Sequence, residues 1–461
     1  MIVEQLYTKC LAEAAYYIES KGEVAIIDPM RDIAPYLKMT KDNGAKIKYV
    51  FETHFHADFV SGHVDIQRQT GAQIIYGPTA KTSYDVIIAE DNQEFKIGDV
   101  TIRVIHTPGH TLESSTYLLI DENGKETALF TGDTLFLGDV GRPDLAIKGD
   151  LTREELAGML FDSLRNRIMP FADDMIIYPS HGAGSSCGKN MSSETVGTLG
   201  DQKANNYALR ADMTKEEFVK EVTHGILPPP QYFAKNAMMN KMGYSSFDDA
   251  LNGGNKALSL SDFKTQVENG ALILDVRNQT DFVKGFIPNS LFIGLDGTFA
   301  MWVGALIEDI HQKIVLIVDE GRAEEAVTRL ARVGYDNAVG YLEGGINAYT
   351  KELSTIKSIS AAQYATLENT STIDVRKPGE YLSEHVLDAI HHPLDYMLSE
   401  LDKIETSMQH HIHCAGGYRS VIAISLLMQQ GYTDLVNVEG GYDAIKETSA
   451  ARSEFVCPST L

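Results

Sequence analysis

The chain has 461 residues, too many for one hydrophobic core, and its 43% hydrophobic and 23% charged residues are ordinary for a globular protein of several domains. Its 64 Asp and Glu against 40 Lys and Arg leave a net charge of −24, which argues against nucleic acid or an anionic membrane as a main partner, since both are held by clustered cations. No run reaches the length of a bilayer span and the N-terminus lacks the pattern of a secretory signal, so a soluble cytoplasmic protein is expected.

In chain order, "EVAIIDP", "KYVFETH", "TIRVIHTPGH", "TALFTGD" and "DMIIYPSH" each read as a buried strand running into a His or Asp. That places the polar residues at strand ends, where loops present chemistry. "DLTREELAGMLFDSLRNRIMP" is the clearest helix, with Thr152 and Glu155 spaced as a capping box and Pro170 at its end. Between residues 225 and 257 the pattern breaks: "GILPPPQYF" suits neither helix nor central strand, and "NGGNK" is expected to be flexible. A domain boundary belongs there. Beyond it, "LILDVRNQTDF" (272–282) recurs as "STIDVRKPGEY" (371–381), and "GYDNAVGYLEGGINAY" (334–349) recurs as "GYTDLVNVEGGYDAI" (431–445), so two α/β units of one kind stand in tandem.

The four cysteines, Cys10, Cys187, Cys414 and Cys457, are too few and too widely spaced for a disulfide framework. His54, His56, Asp58, His110, Asp133 and His181 offer N and O donors, mostly at strand ends. A single histidine of this kind would be a hydrogen-bonded bystander, but six such residues, including a His-x-His-x-Asp run, point to a metal. Imidazole with carboxylate suits zinc or iron, not magnesium.

"THFHAD", "TPGHT", "TGDTLF" and "YPSHG", in this order, resemble the metallo-β-lactamase fold, which implies an α/β protein with an αββα sandwich over about residues 1–245 and metals at one edge of the sheets. Within that superfamily, "GDTLFLGDVGRPDL" and "YPSHGAGSSCGKN" are similar to the persulfide dioxygenases. In binuclear hydrolases of this fold, a His follows the Asp of the first motif and serves a second metal. Here that place is Phe59, whose ring has no lone pair to give, and this lowers the expectation of two-metal hydrolysis. The resemblance implies one Fe(II) per chain on His54, His110 and Asp133, a facial triad that leaves positions open for O2 and substrate, with zinc as an alternative occupant. His56, Asp58 and His181 would then orient ligands and water by hydrogen bonds. The reaction implied is oxidation of a thiol persulfide by O2 to sulfite and free thiol. Arg142, in "GRPDL", is a candidate for holding an anionic group of the thiol carrier, or else pairs internally with Asp139 or Asp144. Cys187 is either a modifiable thiol near the pocket or a passive small residue.

Near its C-terminus the chain reads "HIHCAGGYRSVIAISLLMQQGY", which places Cys414 after a strand, in a tight loop that opens a helix from about Arg419. The helix N-terminus, the loop N–H groups and Arg419 each favour a thiolate. With "IDVR" upstream and "VEGGYDAI" downstream, this looks like a rhodanese domain over about residues 356–461, which implies a persulfide carried on Cys414. Related phosphatase loops are one residue longer, and the tighter ring suits sulfur better than phosphate. Asp374 and Arg376 are expected to be structural, and Cys10 and Cys457 receive no role. In the repeat over residues 256–353, Arg322 falls at the place of Arg419, but Asp319 and Glu320 stand near the nucleophile position and no cysteine precedes them. That unit is expected to be a non-catalytic rhodanese-like spacer, or a dock for the outer domains.

Together these readings predict sulfite made in the first domain and consumed at Cys414 to give thiosulfate. The rival is a zinc-dependent, glyoxalase-II-like thioesterase fused to a sulfurtransferase. The carrier thiol and the oligomeric state, a homo-oligomer included, are left open.

Overall fold

The computed structural model describes residues 1–145, 151–185, 187–189, 191–226 and 228–457. Leu227, in the Gly- and Pro-rich stretch, and residues 458–461, at the end of the last expected domain, lie outside the described residues. Two compact units emerge, Met1–Asp249 with Ala331–Gly334, and Ala250–Leu330 with Tyr335–Leu461.

In the first unit, alternation along the strands sorts side chains into layers. On strand Glu13–Ser20, Tyr16 and Ile18 point to one face and Tyr17 to the other. Six strands between Ile2 and Ile88 form one sheet in sequential order, and six more between Glu94 and Thr198 form a second. Their facing sides share a core in which Tyr16, Ile27 and Phe51 of the first sheet meet Val104, Tyr117 and Phe130 of the second. On the outer face of the first sheet, Tyr17, Ile26 and Val50 pack with Ile33, Tyr36 and Ile66. On the outer face of the second, Leu118, Leu129 and Ile177 pack with Ala157, Leu160 and Leu164. The result is the four-layer αββα sandwich. Helix Arg153–Ser163 begins on the expected capping box, with Thr152 and Glu155 serving each other's backbone, and continues as a π-helical turn over Leu164–Ile168.

The second unit holds two all-parallel five-stranded sheets. Numbering the strands within each repeat, both sheets run in the order 1-5-4-2-3, so the sequence repeat is a repeat of topology. Each copy carries the same buried pair. Arg277 clamps Asp275 (2.6 Å) and donates to the Gly285 carbonyl, while Arg376 clamps Asp374 (2.6 Å) and donates to the Glu384 carbonyl. One expectation fails. The "NGGNK" stretch is not flexible at its start, because helix Phe247–Gly254 runs through Gly253 and Gly254. A Cβ on Gly254 would stand 2.8 Å from Ala338 and Val327, so the glycine that suggests flexibility in the sequence permits close packing instead.

Candidate metal centre and thiol loop

The strand-end residues of the first unit converge. His54 follows strand Lys46–Glu52, His110 follows Val100–His106 by a short turn, Asp133 directly follows Glu126–Gly132, and His181 follows Ile176–Pro179. One donor atom each from His54, His110 and Asp133 lies within 4.8 Å of the others. Asp133 Oδ2 stands 3.4 Å from His110 Nε2 and 3.9 Å from His54 Nε2, and its Oδ1 stands 3.6 Å from His181 Nε2.

Hydrogen bonds behind the rings set which nitrogen faces inward. The Arg142 carbonyl can only accept, so its 2.8 Å contact with His110 Nδ1 fixes the proton there and leaves Nε2 with a lone pair. The Ala12 carbonyl does the same for His181 at 3.2 Å. For His54 the support is a relay: Asp28 accepts from the Thr53 hydroxyl (2.8 Å), and the Thr53 oxygen is then free to accept from His54 Nδ1 (3.0 Å). Asp28 also accepts from Thr53 N and from Ser180 Oγ, which joins the loops of His54 and His181. Burial, followed by the neighbouring His56, His110 and His181, holds the His54 pKa well below the usual histidine range, so the ring is neutral and a competent ligand.

His56 belongs to a different group. Its Nε2 lies 3.1 Å from Asp28 and 3.6 Å from Glu52. Burial opposes a charge on it, but Asp28 and then Glu52 and Asp58 outweigh burial and push its pKa up to about 9. His56 is therefore a buried cation set behind the triad. Asp58 pairs with His181 at 3.4 Å.

The donor set fits a cation. Asp133 is buried, yet among the described residues no hydrogen bond reaches either of its carboxylate oxygens. An ionised carboxylate left in this state is costly unless a positive charge meets it. The structure also adds something to the argument from Phe59, whose ring packs on His56 with centroids 4.4 Å apart. Cys187 is buried, and its sulfur falls with Asp58 and His181 in a second trio of donors within 4.8 Å, so the missing imidazole does not leave the second position without a candidate ligand. Burial, then Asp58 and Asp133, push the Cys187 thiol well up, so without a cation beside it the sulfur is a poor nucleophile. Arg142 makes the internal pair with Asp144 that the sequence offers as one of its roles. Its fork grips Asp144 through two bonds of 2.7 and 2.8 Å, and the residue is 9% exposed. Through its carbonyl, Arg142 also supports His110.

In the second unit, Cys414 follows strand His410–His413, and helix Tyr418–Gln429 begins four residues later. Gly417, at φ +96°, turns its N–H onto Cys414 Sγ at 3.1 Å. The Cys414 and Ala415 carbonyls are held by Tyr442 N and Asp443 N. Arg419 does not point freely at the thiol, because Glu380 grips it through two bonds of 2.6 and 2.7 Å. In the middle repeat the matching loop carries Asp319 and Glu320 on a cavity of about 640 Å³, with Arg277 and Tyr341 also lining it. Arg322 there is bound to Asp296 and Glu325.

Several residues of these sites escape the sequence reading. Asp28 ends the run "EVAIIDP" just as His54 ends its own strand, so the strand-end rule could have found it. Glu13 gives no such signal. It opens the apolar strand Glu13–Ser20, wholly buried, and burial followed by Asp28 and Asp58 raises its pKa well above the carboxylate range. Glu380, three residues after Lys377, reads as a helix cap and is that as well.

Comparison with known proteins agrees with this geometry. The metallo-β-lactamase superfamily matches residues 8–181, and the rhodanese-like domain matches twice, over 259–352 and 360–448. A crystal structure of a metallo-β-lactamase from Staphylococcus aureus is 30% identical with a TM-score of 0.65, covering 74% of this chain and 98% of that one. The chain belongs to the metallo-β-lactamase superfamily and carries two rhodanese-like domains after that one. Among individual relatives, it is similar to the human mitochondrial persulfide dioxygenase ETHE1, 28% identical over 45% of this chain and 74% of that protein. It is also similar to a cytoplasmic hydroxyacylglutathione hydrolase of Arabidopsis thaliana, 32% identical over 30% of this chain and 54% of that protein.

Proposed function

We propose that the first unit oxidises a low-molecular-weight thiol persulfide with O2, releasing sulfite and the free thiol, and that Cys414 carries sulfane sulfur in the second unit. The observation that carries this reading is Asp133, buried beside two imidazoles with no hydrogen-bond donor to either oxygen among the described residues. Two imidazoles and one carboxylate are the donor set of non-haem iron oxygenases. Fe(II), held by His54, His110 and Asp133, would bind O2 and relay to it the four electrons given up by the outer sulfur of the persulfide. The protein's part is to keep these donors ready: Thr53, the Arg142 carbonyl and Asp28 hold the rings, and the His56 cation offsets the surrounding carboxylates. The similarity to a persulfide dioxygenase over most of that protein's length supports the same reading.

The balance is RSSH + O2 + H2O giving RSH, sulfite and two protons. At the other site the Cys414 thiolate takes the outer sulfur of a persulfide and releases the thiol. Sulfite then attacks that sulfur, the S–S bond breaks, and thiosulfate leaves with the Cys414 thiolate restored. We take these steps to run in the cytoplasm; no helix among the described residues is long and apolar enough to cross a membrane.

The test is anaerobic reconstitution with Fe(II) followed by O2 uptake on a panel of persulfides. Uptake should require both iron and persulfide, and His110→Ala or Asp133→Asn should abolish it together with bound iron. The Asp58, His181 and Cys187 trio favours a second reading, a two-metal thioester hydrolase. That reading predicts two metals per chain and thioester turnover without oxygen, and either result would displace the first.

A further inference from the structure

The helix that presents its N-terminus to Cys414 is anchored in the neighbouring repeat. Tyr418, its first residue, donates from its hydroxyl to the Gly294 carbonyl at 2.7 Å and sets its ring edge-on to Phe292, with centroids 5.8 Å apart. Ser425 Oγ accepts from Phe292 N at 3.0 Å, and Gln429 Nε2 donates to the Asn289 carbonyl at 2.8 Å. Positions 418, 425 and 429 recur along one face of a helix, so that whole face is spoken for by residues 289–297 of the middle repeat. The fit at Tyr418 depends on an absence. A Cβ on Gly297 would stand 2.3 Å from the tyrosine ring, so only glycine leaves the socket open.

This docking bears on the thiol through one peptide link. Gly417, whose N–H meets Cys414 Sγ, immediately precedes Tyr418, and Arg419, clamped to Glu380, immediately follows it. The loop is thus held from its own domain by Glu380 and the Gly440–Asp443 turn, and from the middle repeat by the tyrosine socket.

We propose that the middle rhodanese-like domain, which has no nucleophile, serves as the positioning element of the Cys414 loop, with Gly297 and Tyr418 as its positioning residues for sulfur transfer. This rests on the reading of Cys414 as the sulfur carrier. It gives the thiol-free repeat a task in the chemistry of its neighbour, beyond the spacing or docking expected from the sequence.

The experiment uses the full chain. Gly297→Val should push the ring from its socket and lower kcat for thiosulfate-to-cyanide sulfur transfer by about 10- to 100-fold with a smaller change in KM, since a loop displaced by about 1 Å loses reactive geometry more than binding. Iron-dependent O2 uptake on persulfide should stay at the wild-type rate. The rate of Cys414 alkylation by iodoacetamide, followed at the Cys414 peptide by mass spectrometry, should show its pH midpoint raised by about one unit as the N–H contact to sulfur loosens. Tyr418→Phe and Ser425→Ala are the milder companions if the valine variant does not fold, and each should move both readouts the same way by less. Wild-type kcat and an unmoved alkylation midpoint in the folded variants would overturn the proposal. If the wild-type chain transfers no sulfur at all, the reading of Cys414 fails, while the alkylation midpoint still decides whether the socket positions the loop.

Discussion

His54, Asp133 and His181 each follow a β-branched run, so a strand-end rule applied to the sequence places them in one loop cluster. Which ring nitrogen of His54, His110 and His181 faces inward is set by hydrogen bonds to Thr53, the Arg142 carbonyl and the Ala12 carbonyl, and these depend on three-dimensional closure that no periodicity records. The sequence places Cys187 near the pocket, but its grouping with Asp58 and His181 is a tertiary contact that spacing does not record. The buried histidine His63, beyond the ligands, gives a pH prediction. Burial first, then the charge on His56, pull its pKa from 6.5 down to about 3. The unfolded chain therefore takes up this proton before the folded chain does. The stability His63 contributes is complete above about pH 6.5 and is lost as the pH falls from there towards 3. Thermal unfolding of the full chain between pH 7 and 5 should show a steeper acid loss for wild type than for His63→Gln, with iron removed from both samples. Parallel slopes would exclude His63 as the source.

At the scale of elements, the helix starts were legible because caps are local. Thr152 and Glu155 announce their box three residues apart, and the structure contains it. The glycines were misread because their meaning is tertiary. A glycine pair in a polar stretch suggests a hinge, whereas Gly254 lies in a helix pressed onto Val327 and Ala338. Replacing it with valine should cost about 1–3 kcal/mol by overpacking and lower the urea midpoint of the second unit's transition. A true hinge would tolerate the change, since nothing would stand against the new side chain.

At the scale of the whole molecule, the tandem repeat was legible because both copies keep the strand and Asp-x-Arg patterns that generate the 1-5-4-2-3 order. The contact of Tyr418 with the middle repeat was not, because its partner segment offers a glycine, backbone groups and one phenylalanine, none of which marks a docking site in a sequence. The two chemistries should separate by mutation. Cys414→Ser is expected to leave O2 uptake intact and to move the product from thiosulfate to sulfite, measured by ion chromatography after a fixed turnover of persulfide. Unchanged thiosulfate would mean that sulfur reaches sulfite by another route.

The duplicated Asp–Arg clamp makes the chain its own control experiment. Asp275 with Arg277 sits in a repeat without a thiol, and Asp374 with Arg376 sits in the repeat that has one, in matching geometry down to the carbonyl each arginine caps. A pair kept where no sulfur can be carried answers to folding alone. Arg277→Met and Arg376→Met should therefore incur similar losses of about 3–5 kcal/mol, as expected when one member of a buried ion pair is left behind. Any sulfur-transfer defect of the second beyond that shared loss measures what the clamp does for Cys414 itself.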